Sequence, residues 1–204
     1  MQPPEPLVLA TRNAHKTREI RDMLGAAFEV SDANDHPDFP EIEETGSTFL
    51  ENARLKALGI SRRTGGWVLS DDSGLEVDAL GGAPGVWSSS YGGVEGDHAR
   101  NNARLLREMV GRADRSARFR CTMVLARDGV ETANFTGTVE GRLLEEPEGD
   151  GGFGYDPLFV PDGYDSSFAS LPAEVKNRLS HRARALERVV DYLRRTAVSG
   201  KDCG

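Results

Sequence analysis

Cysteine is nearly absent from this chain, Cys121 and Cys203 being its only two, far apart in sequence. That excludes a disulfide framework and makes a reducing cytoplasm the expected compartment. Long hydrophobic runs are also missing: nothing approaches the ~20 apolar residues of a membrane span. Met1-Gln2-Pro3-Pro4-Glu5-Pro6 has neither the basic nor the apolar region of a signal peptide, so neither export nor membrane insertion is expected. Positive charge is in deficit, with 25 Lys and Arg against 33 Asp and Glu and a net charge of -8. A polynucleotide is therefore excluded as a general partner. Small phosphorylated ligands are not excluded, because a metal ion, a few local cations and a helix N-terminus can hold an anion on an acidic protein. Internal repeats are absent, and no serine or cysteine has an evident histidine partner.

What is present is an ordinary globular composition, 38% hydrophobic and 28% charged over 204 residues, enough for one domain with a full core. The expected domain covers residues 1–197, with 198–204 a disordered tail of small and polar residues. Leu7-Val8-Leu9-Ala10 reads as a buried strand, and Ile20, Met23, Leu24 and Ala27 give a following helix after the polar stretch Thr11 to Thr17. Thr48 and Glu51 form a capping-box pattern ahead of Phe49, Leu50, Ala53, Ala57 and Ile60, a helix ending near Gly65-Gly66. Leu75 to Leu80 alternates as a strand, the glycine- and proline-rich stretch Gly81 to Gly85 breaks it, and a third helix runs from His98 to Val110. Phe119, Cys121, Met123 and Leu125 alternate with neighbours along a strand that Asp128-Gly129 turns into Val130 to Glu140, giving an antiparallel pair. Tyr155 to Val160 reads as another strand, and Ser180 as the N-cap of a last helix with Leu186, Val189, Val190 and Leu193 on its apolar face. Together these predict an α/β fold with a mixed, twisted sheet.

The most informative stretch is Asp71-Asp72-Ser73-Gly74, two adjacent carboxylates at the end of Trp67-Val68-Leu69, read as lying on a turn. Mg²⁺ needs only one or two carboxylates besides substrate phosphates, so the pair suits it. Turn hydrogen bonding by the aspartates is the plain alternative. Thr11-Arg12-Asn13-Ala14-His15-Lys16 lacks the glycines and Gly-Lys-Ser/Thr ending of a P-loop. Its hydroxyl, amide, helix-start N–H groups and lysine still suit a phosphate, a solvated helix cap being the alternative. Gly149 to Gly154 carries four glycines, which permits close backbone approach to a ligand.

In order along the chain, Thr11 to Lys16, Glu43-Glu44-Thr45-Gly46, Asp71 to Gly74, Gly81-Gly82-Ala83-Pro84-Gly85, Phe153-Gly154-Tyr155-Asp156-Pro157 and Ser180-His181-Arg182 resemble the inosine triphosphate pyrophosphatase family over roughly Leu7 to Leu193. The resemblance implies an elongated mixed sheet flanked by helices in two lobes, a nucleotide cleft between them, and a homodimer. It implies Mg²⁺-dependent hydrolysis of ITP, dITP or XTP to the monophosphate and pyrophosphate. It carries triphosphate binding onto Thr11, Asn13 and Lys16, metal binding onto Glu43 and Asp72, and water activation onto Asp72, with Asp71 or a metal-bound hydroxide as sharers of that role. Lys56 approaches the phosphates, Ser73 contacts the ligand beside the metal, and Asp156 and Lys176 complete the base and phosphate contacts. Gly154 and Tyr155 belong to the same binding segment. His15, His36 and His98 match nothing in the pattern and are expected at the surface. Ser90 stands where the family commonly has an arginine, so any phosphate contact from that arginine is not expected here.

An inosine or xanthine ring shows an acceptor oxygen at position six where adenine shows a donor amine. Arg182 and His181 can donate to that oxygen, and Phe153 can stack on the ring. Adenine leaves those donors unpaired at about 1–3 kcal/mol per buried group, roughly ten- to a hundredfold against the wrong base. Two rivals share parts of this reading: a Maf-like pyrophosphatase acting on modified or pyrimidine nucleotides, and a nucleotide-binding regulator without turnover.

Overall fold

The computed structural model describes residues 5–199; residues 1–4 and 200–204, Cys203 among them, lie outside the described residues. The elements are β1 (Glu5–Leu9), α1 (Ala14–Leu24), β2 (Phe28–Asp32), α2 (Phe49–Ser61), β3 (Trp67–Val77), α3 (His98–Glu108), β4 (Ser116–Arg127), β5 (Val130–Leu143), β6 (Phe159–Pro161), α4 (Ala173–Leu179) and α5 (His181–Ser199). Six strands form one sheet in the order β2-β1-β3-β4-β5-β6. β1 runs parallel to β2, with Leu7 opposite Val30, and parallel to β3, with Leu9 opposite Leu69, whereas β6 is antiparallel to β5. The sheet is therefore mixed, as the element pattern predicts. α5 continues through Ser199, past the start of the expected tail.

Among the described residues, 5–72, 122–137 and 182–199 form one compact unit and 73–121 with 138–181 a second. In the first, small residues make the contact between α2 and the sheet. Ala53 and Ala57 of α2 pack on Val124 and Ala126 of β4, and Ile60 joins Ala10 and Val68. Alanines at i and i+4 let the α2 backbone come close to the sheet, close enough for the Ser70 hydroxyl to donate to the Ala53 carbonyl. The helix starts where the capping pattern places it: Thr48 Oγ1 accepts from the Glu51 N–H at 3.1 Å, and the Glu51 carboxylate accepts from the Thr48 N–H at 3.1 Å.

β4 and β5 are joined by Asp128 (φ 52°) and Gly129 (φ 78°). Two consecutive left-handed residues are the requirement of the tight hairpin turn, which fixes the strands as antiparallel neighbours. The second unit has an aromatic core: Phe119 meets Phe159 edge-on at 4.8 Å, and Phe159 meets Phe168 at 5.3 Å.

Three expectations are corrected. The stretch Asp71 to Gly74 is not a turn but the middle of the continuous strand β3, and that strand ends at Val77 rather than Leu80. Only Phe159 and Val160 of the expected Tyr155 to Val160 strand are extended, with β6 running on to Pro161, because Asp156–Leu158 coils into a single 3-10 turn with Pro157 inside it. α4, unanticipated, fits seven residues between Pro172 and Ser180, too short a span for a helical period to register.

The Gly81 to Tyr91 segment is tied down within the second unit. Ser88 Oγ accepts from the Leu75 N–H at 2.9 Å and donates to the Gly85 carbonyl at 2.6 Å. A Cβ on Gly74 would lie 2.3 Å from that hydroxyl, so glycine is required there for close approach. Tyr91 donates its hydroxyl to Glu108, and the Arg104 guanidinium lies 4.2 Å above its ring. Burial, and then the bond to Glu108, push the Tyr91 hydroxyl up to about 12, against about 10 in an unfolded chain. The stability this gives is complete below pH about 10 and is lost as pH rises through the folded value. Tyr91→Phe is expected to destabilise the protein by about 1–3 kcal/mol at neutral pH and to show a smaller loss between pH 10 and 12, as read from urea unfolding at a series of pH values.

Candidate active site

In the first unit the site begins with the loop after β1. The Thr11 N–H donates to the Leu9 carbonyl at 2.8 Å, and its own carbonyl accepts from the Ala33 N–H at 3.2 Å. Thr11 Oγ1 accepts from the Asn13 N–H at 3.1 Å. Asn13 is the N-cap of α1, its side-chain oxygen accepting from His15 and Lys16 N–H groups at 3.0 and 3.2 Å. The cap sets Lys16 in the first turn, where its Nζ lies 3.1 Å from Asp71 Oδ2. His15 is exposed, as expected.

Asp71 Oδ2 also accepts from Arg182 at the start of α5, at 3.1 Å from Nη2 and 3.4 Å from Nε, while Nη1 of the same guanidinium binds Glu19. Arg182 is only 1% exposed. Burial alone would raise the proton affinity of Asp71, but the Lys16 and Arg182 charges outweigh it and hold the carboxyl well below the usual carboxylate range.

Asp72, next along the strand, is tuned the other way. Burial raises it, and Lys56 and Lys16 only partly oppose this while Glu44 adds to it. Lys56 Nζ lies 3.8 Å from Asp72 Oδ1 and 2.9 Å from Glu44 Oε2. Asn52, one turn before Lys56 on α2, hydrogen-bonds Asp72 and accepts from the Gly46 N–H at 2.7 Å. Of the adjacent glutamates, both exposed, Glu44 is the one that reaches Lys56. Ser73 follows on β3, half-buried.

Sequence reasoning did not single out Asn52, Glu44 or Glu19. Asn52 is a buried polar residue on the apolar face of α2, and that misfit was a readable signal. The partner of Arg182 is 163 residues away in sequence, which no local pattern discloses.

In the second unit the glycine loop is held by Asp156. Its Oδ2 accepts from the Phe153 N–H at 2.7 Å and from Lys176 Nζ at 2.5 Å, both side chains of that ion pair being buried. Gly152 has φ 70°, and a Cβ there would lie 2.1 Å from the same oxygen, so only glycine permits this anchorage. Lys176 Nζ lies 4.9 Å from the centroid of the half-buried Phe153 ring, a cation–π contact. Gly154 (φ 64°) gives its carbonyl to Asn102 Nδ2 at 3.1 Å, and Tyr155 is an anchor, its hydroxyl donating to the Ser88 carbonyl at 2.9 Å. His181 is buried and stacks on Phe119 at 4.9 Å with 12° between the planes. Two surface expectations fail: His98 is half-buried, 6.2 Å from the Phe153 ring, and His36 is half-buried against Phe39 at 4.5 Å.

Chemically, the first unit offers lysines for anionic oxygens and one carboxylate with raised proton affinity. Among the described residues no three histidine, cysteine or carboxylate side chains gather as a metal cluster. The pair Asp72 and Glu44, bridged by Lys56, nevertheless fits an ion that takes one or two protein carboxylates and completes its shell with phosphates and water. Among the described residues no helix is long and apolar enough to cross a membrane.

The profile of the Ham1 family matches residues 7–192 of the chain. A dITP/XTP pyrophosphatase of Streptococcus thermophilus is 48% identical over 189 residues, covering 91% of this chain. The chain spans 58% of the length of that curated relative. A HAM1 protein from Coxiella burnetii superposes with a TM-score of 0.84 at 37% identity, covering 94% of this chain and 99% of that one. The nucleoside-triphosphatase / dITP/XTP pyrophosphatase of Mycobacterium abscessus gives a TM-score of 0.73 at 38% identity, covering 90% and 98%.

Replacing Lys176 by Met leaves the Asp156 carboxylate buried without its cation. A loss of about 3–5 kcal/mol of unfolding free energy is expected at pH 7, with part recovered when Asp156→Asn is added, both read by urea denaturation.

Proposed function

Because the chain belongs to the Ham1 family, we propose that it hydrolyses non-canonical purine nucleoside triphosphates, ITP, dITP or XTP, to the monophosphate and pyrophosphate, clearing them from the nucleotide pool. The observation that carries this reading is geometric: Lys16 and Lys56, from two helices, meet the adjacent carboxylates Asp71 and Asp72 of β3, a set of cations and acids suited to positioning and neutralising a phosphate.

Thr11, Asn13 and Lys16 bind the triphosphate, the lysine leaving part of its pairing with Asp71 for phosphate oxygens, and Lys56 approaches them from α2. Asp72 accepts the proton of the attacking water. The new bond joins the water oxygen to the α-phosphorus, the bond from that phosphorus to the α–β bridging oxygen breaks, and pyrophosphate leaves with the electron pair. Asp72 and Glu44 would hold Mg²⁺, Glu44 replacing the Glu43 of the first expectation on the strength of its contact with Lys56. When bound, the ion neutralises charge on the phosphate oxygens. Ser73 lies beside Asp72 in sequence and contacts the ligand there. Phe153 stacks on the base, with Gly154, Tyr155, Asp156 and Lys176 shaping that segment and His181 and Arg182 supplying donors to the six-position oxygen. The reading includes a cytoplasmic homodimer, for which Trp87, 64% exposed, is an apolar residue available to a second copy.

Wild-type protein with ITP and Mg²⁺ is expected to release pyrophosphate and IMP, with Asp72→Asn lowering kcat by about 10²- to 10⁴-fold while nucleotide binding persists. Orthophosphate as the product, or preference for dTTP over ITP, rejects the reading. In a Mg²⁺ titration of the rate, Glu44→Gln is expected to raise the half-saturating concentration about tenfold or more and Glu43→Gln to shift it less; the reverse order would return the ligand to Glu43.

A further inference from the structure

The ring proposed to stack on the base is carried by a loop with little stiffness of its own. Gly149, Gly152 and Gly154 have φ values of 82°, 70° and 64°, and Gly151 lies among them, so the backbone at these positions is the least constrained that a chain can supply. Asp156 fixes the loop through the Phe153 N–H. The Gly151 N–H donates to the Ala169 carbonyl at 3.0 Å and the Lys176 ammonium lies 4.9 Å from the Phe153 ring centroid, and two further contacts come from α3. Asn102 Nδ2 donates to the Gly154 carbonyl at 3.1 Å, and the His98 ring lies 6.2 Å from the Phe153 ring at 50°. His98 and Asn102 are four residues apart in one helix and so share a face. That helix is itself firmly seated: the side chain of its N-cap, Asp97, accepts from the Arg100 N–H at 3.0 Å, and Leu105 and Met109 are buried in the core.

We propose that this face of α3, His98 with Asn102, sets the position of the Phe153 ring and thereby how tightly the planar purine of the substrate is held. Both are positioning residues, acting through Phe153 and Gly154, and the substrate clause rests on the function proposed above. The argument is mechanical. A stacking platform holds its ligand in proportion to the time it spends in the stacked orientation. Asp156, Ala169 and Lys176 hold the loop at Gly151 and Phe153, but they leave Gly154 and the side of the ring facing α3 unheld, and the Asn102 bond together with the His98 ring restricts the orientations that remain. The ordering is present before the base arrives, so the chemical step gains nothing further from it and the effect belongs in substrate affinity.

Asn102→Ala and His98→Ala are therefore expected to raise the KM for ITP about three- to tenfold each, the range that one net hydrogen bond spans, with kcat within about twofold and the thermal midpoint little changed. His98→Phe, which restores a ring, is expected to return KM toward the wild-type value. Amide hydrogen exchange of residues 151–154, measured without nucleotide, is expected to quicken in Asn102→Ala. An unchanged KM in both alanine variants, or a kcat loss that tracks a fall in thermal midpoint, overturns the proposal. Unchanged exchange overturns it too, and does so without reference to substrate. Wild-type inertness toward ITP rejects the functional reading and with it the substrate clause, while the exchange experiment alone then decides whether α3 positions the loop.

Discussion

One buried carboxylate organises the first unit. Asp71, in the middle of β3, is met by Lys16 from α1 and Arg182 from α5. Withdrawing such a group from water costs several kcal/mol unless cations and hydrogen bonds repay it, so strand and helices must be in register before the centre is tolerable. The requirement runs in both directions. Arg182 is nearly inaccessible and reaches Glu19 as well, so its guanidinium is as dependent on α1 and β3 as they are on it. A base-reading role for Arg182 has to coexist with these carboxylates. Arg182 and Asp71 therefore function as a pair, and a change at either alters the charge left at the other.

How much of the fold could be read in advance depended on the range over which each element is determined. The α2 start and the β4–β5 hairpin are set by neighbours in sequence, Thr48 with Glu51 and Asp128 with Gly129, and both were legible. Asp71 to Gly74 was misread because Asp, Ser and Gly favour turns when nothing else acts. What acts here is tertiary: Gly74 is needed so that β3 can lie against Ser88, and the aspartates are satisfied by side chains from three helices. Propensity yields when packing opposes it.

The residues of the site were legible mainly through a resemblance, and their partners were not. Phe153 and Lys176 belong to a recognisable motif, yet the cation seated over that ring and shared with Asp156 could only emerge from folding. Glu44 and Glu43 are chemically identical neighbours, and which of them faces Lys56 is decided by the path of the chain before α2. His98 looked like a surface residue because a lone histidine at a helix start has no period to place it; its neighbour Phe153 lies 55 positions away.

The correction from turn to strand is also what makes the chemistry intelligible. On a turn, two adjacent aspartates would share one solvated environment and titrate together. Along a strand, successive side chains leave on opposite faces, and β3 obeys this closely. Ser70 and Asp72 meet α2, through the Ala53 carbonyl and through Asn52 with Lys56, while Asp71 between them meets α1 and α5. One face thus receives two cations at contact distance, the other a single ammonium shared with Glu44. The opposite proton affinities of Asp71 and Asp72 follow from that alternation and from where the helices lie, without any unusual property of either residue. A register slip of one position in β3 would turn each aspartate to the opposite face, so that the carboxylate brought beside Lys16 and Arg182 would become the strongly ionised one and Asp71 would lose those cations. The parallel pairing of Leu9 with Leu69 is therefore a determinant of the site's acid–base behaviour as much as of the sheet.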